Sequence, residues 1–377
     1  MKILFTSTYF HPYLSGLTDY PLKIGTYLSK NHEVSVLTFK HTTSLPTNEQ
    51  YSNLAIARCT PHFRISKGLI NIFYPLISFL HVLKNDVVFV NLPQFEGFFP
   101  AFWGKIMGKK TYAIYHCELF FEKGVLSKLI EYVANFSAYL TCMLATKVIA
   151  YTEDYATNSP ILRHFLHKVI YTLPPVERIS PDPAYSKLLT NNYKLSTPII
   201  GFSGRVSKEK GITYLLEALA LLQEKYPSIT LLCIGPFGKD VVGEEPYFEE
   251  LQHQIQRKKL TVRFLGSRTH EELASFYKAV DVIVLPSTNK TEAFGMVQVE
   301  ALLAGTPVVA SDLPGVRVPI KLSGMGLICK LKDVRDLATT METVIENRKK
   351  YIQLPKKIAT IFDIKKTYQF YDQLLSS

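Results

Sequence analysis

The stretch Leu285-Pro-Ser-Thr-Asn-Lys-Thr-Glu292-Ala-Phe-Gly-Met-Val-Gln-Val-Glu300-Ala-Leu-Leu-Ala-Gly305-Thr-Pro-Val-Val-Ala-Ser311 decides the fold. An apolar, β-branched run before it predicts a buried strand over 280–285 that enters a polar loop. The loop runs into a helix over about 294–304, Gly305 suits the left-handed residue that stops it, and Pro307-Val-Val-Ala opens another short buried strand. The helix body carries only Gln298 and Glu300 among apolar and small residues. A helix apolar nearly all round is a buried one, so Glu300 is expected as an interior carboxylate, costly unless paired. Glu292 stands where the chain enters the helix. The backbone N–H groups of Phe294, Gly295 and Met296, with the positive end of the helix dipole, suit an anion there. Two carboxylates around an anion cradle match a ligand with hydroxyls on either side of phosphates, the layout of a nucleotide sugar. Taken alone, the stretch is equally compatible with Glu300 in a structural ion pair and Glu292 as a solvated loop residue.

Outward from this stretch, 377 residues exceed one ordinary core and fit two domains. A hydrophobic content of 47% with 20% charged residues marks a foldable globular chain. The five cysteines are scattered without a Cys-x-x-Cys pair, which argues against a disulfide framework or zinc site and for a reducing compartment. Met1-Lys-Ile-Leu-Phe-Thr-Ser-Thr enters a strand without the pattern of a signal peptide, so a cytoplasmic location is expected. The net charge of +11 is spread over both halves and fits an anionic substrate or an anionic membrane surface. The basic-aromatic signature of a nucleic-acid module is missing, so no nucleic-acid partner is expected.

Taken in order, the first half alternates apolar β-like runs with helical patterns, the mark of an α/β fold with a parallel sheet. Strands are expected at 2–7, 33–38, 54–60, 86–91, 111–115, 147–151 and 168–172. The loop His11-Pro-Tyr-Leu-Ser-Gly16 follows the first strand, and Gly16 would let the backbone approach a phosphate or sugar. His116 stands at the carboxyl end of a predicted strand, a position favoured for ligand contact in such sheets. Residues 68–83 hold no Lys, Arg, Asp or Glu, lie between Arg64, Lys67 and Lys84, and contain Pro75. At 16 residues this run is too short to span a bilayer but fits an interfacial helix or a buried core helix. The same choice holds for 119–150, which Lys123, Lys128 and Glu131 interrupt.

Four prolines within 173–183 form a stiff linker, and the strand–helix alternation restarts after it. The second half has expected strands at 198–203, 229–234, 261–265, 281–285 and 307–310, with helices near 211–225, 245–257, 269–278, 294–304 and 333–346. It opens with Gly201-Phe-Ser-Gly204-Arg205-Val-Ser-Lys208-Glu-Lys210-Gly211, which lacks the Gly-Lys-Ser/Thr ending of a Walker loop. Arg205 and Lys210 still put two cations beside a helix N-terminus, a sound arrangement for a diphosphate.

With these pieces in hand, the chain resembles the retaining family-four glycosyltransferases of the glycosyltransferase B fold over nearly its whole length. Glu292 through Glu300 resembles their Glu-x7-Glu signature, Gly204-Arg205 through Lys210-Gly211 their diphosphate motif, Gly16 their glycine loop, and His116 their N-domain histidine. The resemblance implies two Rossmann-like domains facing across a cleft: 1–175 on the acceptor side, and 176–357 binding the donor. A C-terminal helix at 358–377 would pack back on the first domain. It implies retaining, metal-independent transfer of a hexose from a UDP-, GDP- or other nucleotide sugar to a glycan or lipid-linked acceptor, with no cofactor beyond that co-substrate.

In that scheme His116, Glu292, Arg205 and Lys210 are catalytic. Gly16, Arg205, Lys210, Phe294, Gly295, Met296 and Glu300 bind the donor, and no residue binds a metal. Arg205 and Lys210 would neutralise the diphosphate, Glu300 would accept from the ribose hydroxyls, and Glu292 from those of the transferred sugar. The loops 235–238 and 266–268 would pack around the nucleobase. Two departures stand out: Ser15 replaces a usual glycine, and Val318 replaces the usual acidic residue after Gly315-Val-Arg. The rival of another class is a catalytically silent relative serving as a membrane-associated scaffold. Basic residues around apolar runs also imply peripheral contact between the first domain and the anionic inner face of a membrane.

Overall fold

The computed structural model describes residues 1–13, 15–65, 68–120, 124–193, 198–241 and 243–376. The chain divides into two compact units, residues 1–175 with 364–377, and residues 176–363.

The first unit is built on β1 (Lys2–Thr6), β2 (Glu33–Phe39), β3 (Asn48–Tyr51), β4 (Leu54–Cys59), β5 (Phe63–Ile65), β6 (Gly68–Ile70), β7 (Val87–Leu92), β8 (Lys110–Tyr115), β9 (Lys147–Ala150) and β10 (Val169–Tyr171). Eight of these form one sheet in the order β10-β9-β8-β7-β1-β2-β4-β3. Only the β3–β4 edge pair is antiparallel; β5 and β6 make a separate hairpin. The strands expected from apolar runs are present. Those not expected are the polar edge strand Asn-Glu-Gln-Tyr of β3 and the three-residue hairpin strands, which carry too little apolar pattern to be read. The central strands bury Leu4, Phe5, Phe89 and Ile114 completely, as two-sided cover by helices requires.

The helices here are α1 (Gly16–Leu28), α2 (Tyr74–Leu83), α3 (Phe98–Ile106), α4 (Val125–Leu144) and α5 (Glu153–Asn158). The run 68–83 is therefore not one helix. Gly68–Ile70 is a strand, and Pro75 sits in the first turn of a ten-residue α2, where its missing N–H costs nothing. Lys67 lies outside the described residues.

The second unit is a six-stranded parallel sheet of β11 (Ile199–Ser203), β12 (Thr230–Ile234), β13 (Val262–Phe264), β14 (Val282–Leu285), β15 (Val308–Ser311) and β16 (Gly326–Cys329). Its order is β13-β12-β11-β14-β15-β16, so the winding reverses between β11 and β14. The helices are α6 (Pro183–Tyr193), α7 (Ile212–Gln223), α8 (Glu245–Lys258), α9 (His270–Ala279), α10 (Met296–Ala304), α11 (Val318–Ser323), α12 (Val334–Glu346) and α13 (Pro355–Ile361). Leu215, Leu219 and Leu222 of α7 and Met341 and Val344 of α12 pack on Leu231, Val282 and Val309 of the sheet. α13 packs against α10 and α11.

The last helix, α14 (Ile364–Ser376), belongs to the first unit, so the returning segment begins at Ile364 rather than 358. Tyr371 is fully buried there, its hydroxyl 3.0 Å from that of Tyr20 in α1. The Tyr27 ring stacks on Tyr368 at 4.1 Å, and its hydroxyl donates to Asp372 at 2.6 Å.

Candidate functional site

In a doubly wound sheet the ligand crevice lies beyond the carboxyl ends of the strands where the winding reverses. In the second unit those ends belong to β11 and β14. The loop after β11 holds Arg205 and Lys210; the loop after β14 holds Glu292 and leads into α10.

Gly211 lets the two loops close on each other. It adopts φ 72°, and a Cβ there would lie 2.0 Å from the Pro286 carbonyl oxygen, so no larger residue fits. The Thr288 N–H and Oγ1 both donate to the Glu209 carbonyl, at 2.9 and 3.1 Å. With the loops fastened this way, Lys210 Nζ stands 2.5 Å from Glu292 Oε2, both side chains largely shielded from water. Ser287 Oγ donates to the same carboxylate oxygen at 3.5 Å. Arg205 reaches Glu209 Oε1 at 3.2 Å. Burial raises the Glu209 carboxyl, but the Ser207 hydroxyl and the charges of Arg205 and Lys210 outweigh it and hold the group below its ordinary value.

Helix α10 begins at Met296, two residues later than the sequence pattern suggests, because Gly295 takes the left-handed conformation at its N-cap (φ 76°). A Cβ at Gly295 would meet Leu285 Cδ2 at 2.4 Å. Phe294 is buried beneath this turn and fixes its depth. The first N–H groups of the helix have no carbonyl one turn earlier, which gives Gly295 and Met296 the character of an anion-binding corner.

Glu300 differs from the interior carboxylate expected. It is half-buried, and Tyr277 on α9 donates its hydroxyl to Oε2 at 2.6 Å. The Tyr277 hydroxyl also lies 2.9 Å from Ser203 Oγ at the end of β11. Burial and then the neighbouring Glu300 push the Tyr277 phenol well above its ordinary value, so it stays a donor. The fully buried polar residue of α10 is Gln298, whose amide donates to the Phe294 and Val316 carbonyls, both at 2.9 Å. Neither Tyr277 nor Gln298 was marked by the sequence reading. A Tyr in an amphipathic helix reads as core, and only the tertiary pairing reveals its role.

The loops 235–238 and 266–268 lie beside the loop after β11. The Gly235 N–H donates to the Gly266 carbonyl at 2.9 Å, and the Gly204 N–H to the Ile234 carbonyl at 2.9 Å. Phe237 packs into a ring cluster with Phe248 and Phe264, while Ser267 and Arg268 of the second loop are exposed.

The first unit carries its own candidates. His116 follows β8 and is buried among Tyr20, Tyr151 and Asn91. The Asn91 amide nitrogen donates to the Thr6 carbonyl at 3.0 Å, so its oxygen faces His116 and accepts from the Nε2–H at 3.1 Å. Nδ1 then accepts from the Tyr151 hydroxyl. Burial lowers the imidazole pKa to about 3, so this histidine is neutral through the physiological range. Gly16 is the first residue of α1 and is exposed. Ser15 before it is extended (φ −163°), a conformation any residue adopts, and its N–H donates to Thr18 Oγ1 at 3.1 Å. Serine therefore replaces glycine here without strain and begins the helix. Among the described residues there is no group of three or more His, Cys, Asp or Glu side chains that could hold a metal ion.

Residues 190–359 match the protein family described as Glycosyl transferases group 1. The D-inositol 3-phosphate glycosyltransferase of Corynebacterium urealyticum is 38% identical over 157 residues, covering 41% of this chain and 36% of that protein. The 2-deoxystreptamine glucosyltransferase of Streptomyces kanamyceticus is 29% identical over 213 residues, covering 54% and 52%. The chain thus spans only about a third to a half of the length of these curated relatives. Among solved structures, Anabaena HepE in complex with UDP and glucose superposes with a TM-score of 0.79 at 22% identity, over 100% of both chains. Sucrose-phosphate synthase from Thermosynechococcus elongatus superposes with a TM-score of 0.80 at 20% identity, over 100% of this chain and 99% of that one. These likenesses establish the fold as that of the two-domain glycosyltransferases.

Proposed function

With residues 190–359 a glycosyl transferases group 1 region, we propose that the chain is a retaining hexosyltransferase. It moves a sugar from a nucleotide-diphosphate donor to a glycan or lipid-linked acceptor. The observation that carries this reading is the Lys210–Glu292 pair at the point where the second sheet reverses its winding, 2.5 Å apart beside the N-terminus of α10. A cation, an anion and a helix N-terminus in one corner suit a ligand with phosphate next to hydroxyls.

In this reading Lys210 and Arg205 take the donor's phosphates, and Glu292, relieved of its lysine, accepts from hydroxyls of the sugar. Negative charge grows on the diphosphate as the sugar leaves, and the two cations with the amides of Gly295 and Met296 stabilise it. Glu300, oriented by Tyr277, accepts from the ribose. Gly16 offers exposed backbone, and His116 acts as a neutral, hydrogen-bonded imidazole that positions rather than shuttles protons. The intact set of Arg205, Lys210, Glu292 and Glu300 speaks against a silent scaffold. An acceptor borne on lipid would make the protein a peripheral visitor to the inner membrane face.

A thermal-shift panel of nucleotide sugars tests the donor site, with UDP-glucose first because HepE was solved with UDP and glucose. A ligand at 100 times its Kd adds about 2.7 kcal/mol, or roughly 5 to 10 °C for a unit of this size. A panel without any response to nucleotides or nucleotide sugars would remove the reading.

A further inference from the structure

Helix α4 is built inside out. Ala134, Ala138, Thr141 and Cys142 face the sheet, whereas the large apolar residues face water. Val125 is 91% exposed, Leu129 57%, Tyr132 70% and Phe136 51%, with Met143 continuing the line. Their spacing of three and four residues makes one stripe along the helix. The same inversion occurs on α2, where Phe73 at its N-cap, Leu76, Leu80 and Leu83 are all about half or more exposed and again three or four apart. α3 packs against both α2 and α4, and its Ile106 is exposed as well. The neighbouring helices α2, α3 and α4 of the first unit therefore present several exposed aromatic and aliphatic side chains together, where single exposed apolar residues are the ordinary case.

Among the described residues around this face, basic side chains outnumber acidic ones. Lys84 caps α2, Lys105 sits in the last turn of α3 with Lys109 and Lys110 beyond it, and Arg64 on the hairpin before α2 is exposed while its guanidinium donates to the His41 carbonyl at 2.7 Å. Of the acids in the same stretch that are not buried, Glu131 pairs with Lys128 on α4 itself at 2.9 Å, and Asp86 accepts from the Lys2 N–H at 2.8 Å. Glu96 and Glu118 are buried.

We propose that the α2–α3–α4 face of the first unit is a docking surface for an anionic lipid bilayer. Apolar stripes with basic flanks match the interfacial mode, in which rings and aliphatic chains enter the acyl boundary and lysines meet the headgroups. A second copy of the chain fits poorly, because a two-fold contact would set this basic rim against an identical one. Among the described residues no helix is long and apolar enough to cross a membrane, so the contact is with the surface. The inference deepens the lipid-borne acceptor proposed above and rests on that reading only for its purpose.

Flotation with vesicles of phosphatidylcholine, alone or with about one third phosphatidylglycerol, tests it at 50 and 500 mM salt, values chosen to bracket the Debye range. The full chain should float with the anionic vesicles at low salt and be released at high salt. Leu129→Glu with Phe136→Glu should reduce that binding about tenfold or more. Leu76→Glu with Leu80→Glu should do the same from α2, so that one poorly folding variant leaves the other informative. Both should keep the parental thermal shift with nucleotide sugar, which separates failure of this surface from failure of the donor site. Equal recovery with neutral and anionic vesicles, or variants that float as the parent does, would overturn the proposal. A concentration-dependent dimer that the same substitutions dissolve would also overturn it, in favour of a second copy.

Discussion

Lys210 and Glu292, 82 residues apart in sequence, meet at 2.5 Å with both side chains mostly withdrawn from solvent. In the absence of ligand each neutralises the other, and each is the group that a phosphate or a sugar hydroxyl would claim. The pair keeps the corner charged and occupied without leaving an uncompensated ion in a shielded position.

Lys210→Ala should therefore lower stability of the unliganded protein by about 1 to 3 kcal/mol and weaken nucleotide binding as well as turnover. Glu292→Ala should leave nucleotide affinity nearly intact and reduce kcat by roughly a hundredfold, because its hydroxyl contacts belong to the sugar. Thermal shift with nucleotide alone, set against turnover, separates the two. A Lys210→Ala enzyme that transfers sugar at the parental rate would refute the phosphate assignment.

Tyr277 and Glu300 form the second pair, at 2.6 Å. Glu300→Ala should weaken nucleotide binding by about 1.5 to 3 kcal/mol, the range for a hydrogen bond to a charged group. Tyr277→Phe removes only the hydroxyl that aims the carboxylate, and should cost about 0.5 to 1.5 kcal/mol of the same affinity. Calorimetric titration with UDP and GDP measures both. A Tyr277→Phe variant weaker than Glu300→Ala would mean that Tyr277 touches the ligand itself.

Most strands of the two sheets were legible because parallel strands covered on two faces read as unbroken apolar runs, as in Val-Val-Phe-Val of β7 and Val-Ile-Val-Leu of β14. Two edge strands were not: Asn48–Tyr51 alternates exposed and half-buried residues and has no apolar run to read, and Gly326–Cys329 is only four residues long and begins on glycine. Glu300 shows a different limit. The near-absence of polar residues in α10 suggested burial all round, but the helix is only nine residues long, and the carboxylate sits where its surface opens toward Tyr277. Gln298, the other polar residue of α10, took the interior place by bonding two backbone carbonyls. Composition could not tell which of the two would point inward. The placement of α4 was left open, as an interfacial or a core helix, for a related reason: periodicity locates an apolar face but not which side of the helix meets the sheet.

Transfer is expected to survive EDTA, because Arg205, Lys210 and the first turn of α10 supply positive charge to the diphosphate. Loss of activity in chelator, restored by magnesium or manganese, would overturn that. The anomeric configuration of the product, read by NMR, should match that of an α-linked donor. A β-linked product would contradict the retaining mechanism.

The last expectation concerns Glu96, in the loop after β7 of the first unit. It is 4% exposed, and its carboxyl oxygens lie near the N–H groups of Glu96 and Asn71 without closing a hydrogen bond. Burial raises its pKa to about 8, and those N–H groups recover only part of the shift. In the unfolded chain a glutamate ionises near its ordinary value of about 4.3. Between these two values the unfolded state has lost the proton that the folded state keeps, so stability falls as pH rises, and the fall ends above the folded value. Glu96→Gln, neutral at every pH and nearly the same shape, removes this dependence. Parent and variant should melt alike near pH 4.5, and the variant should be more stable by about 1 to 3 kcal/mol at pH 7.5. Scanning calorimetry at the two pH values measures it. A variant less stable than the parent at pH 7.5, or a difference independent of pH, would mean that Glu96 is ionised in the fold and held there by a positive partner.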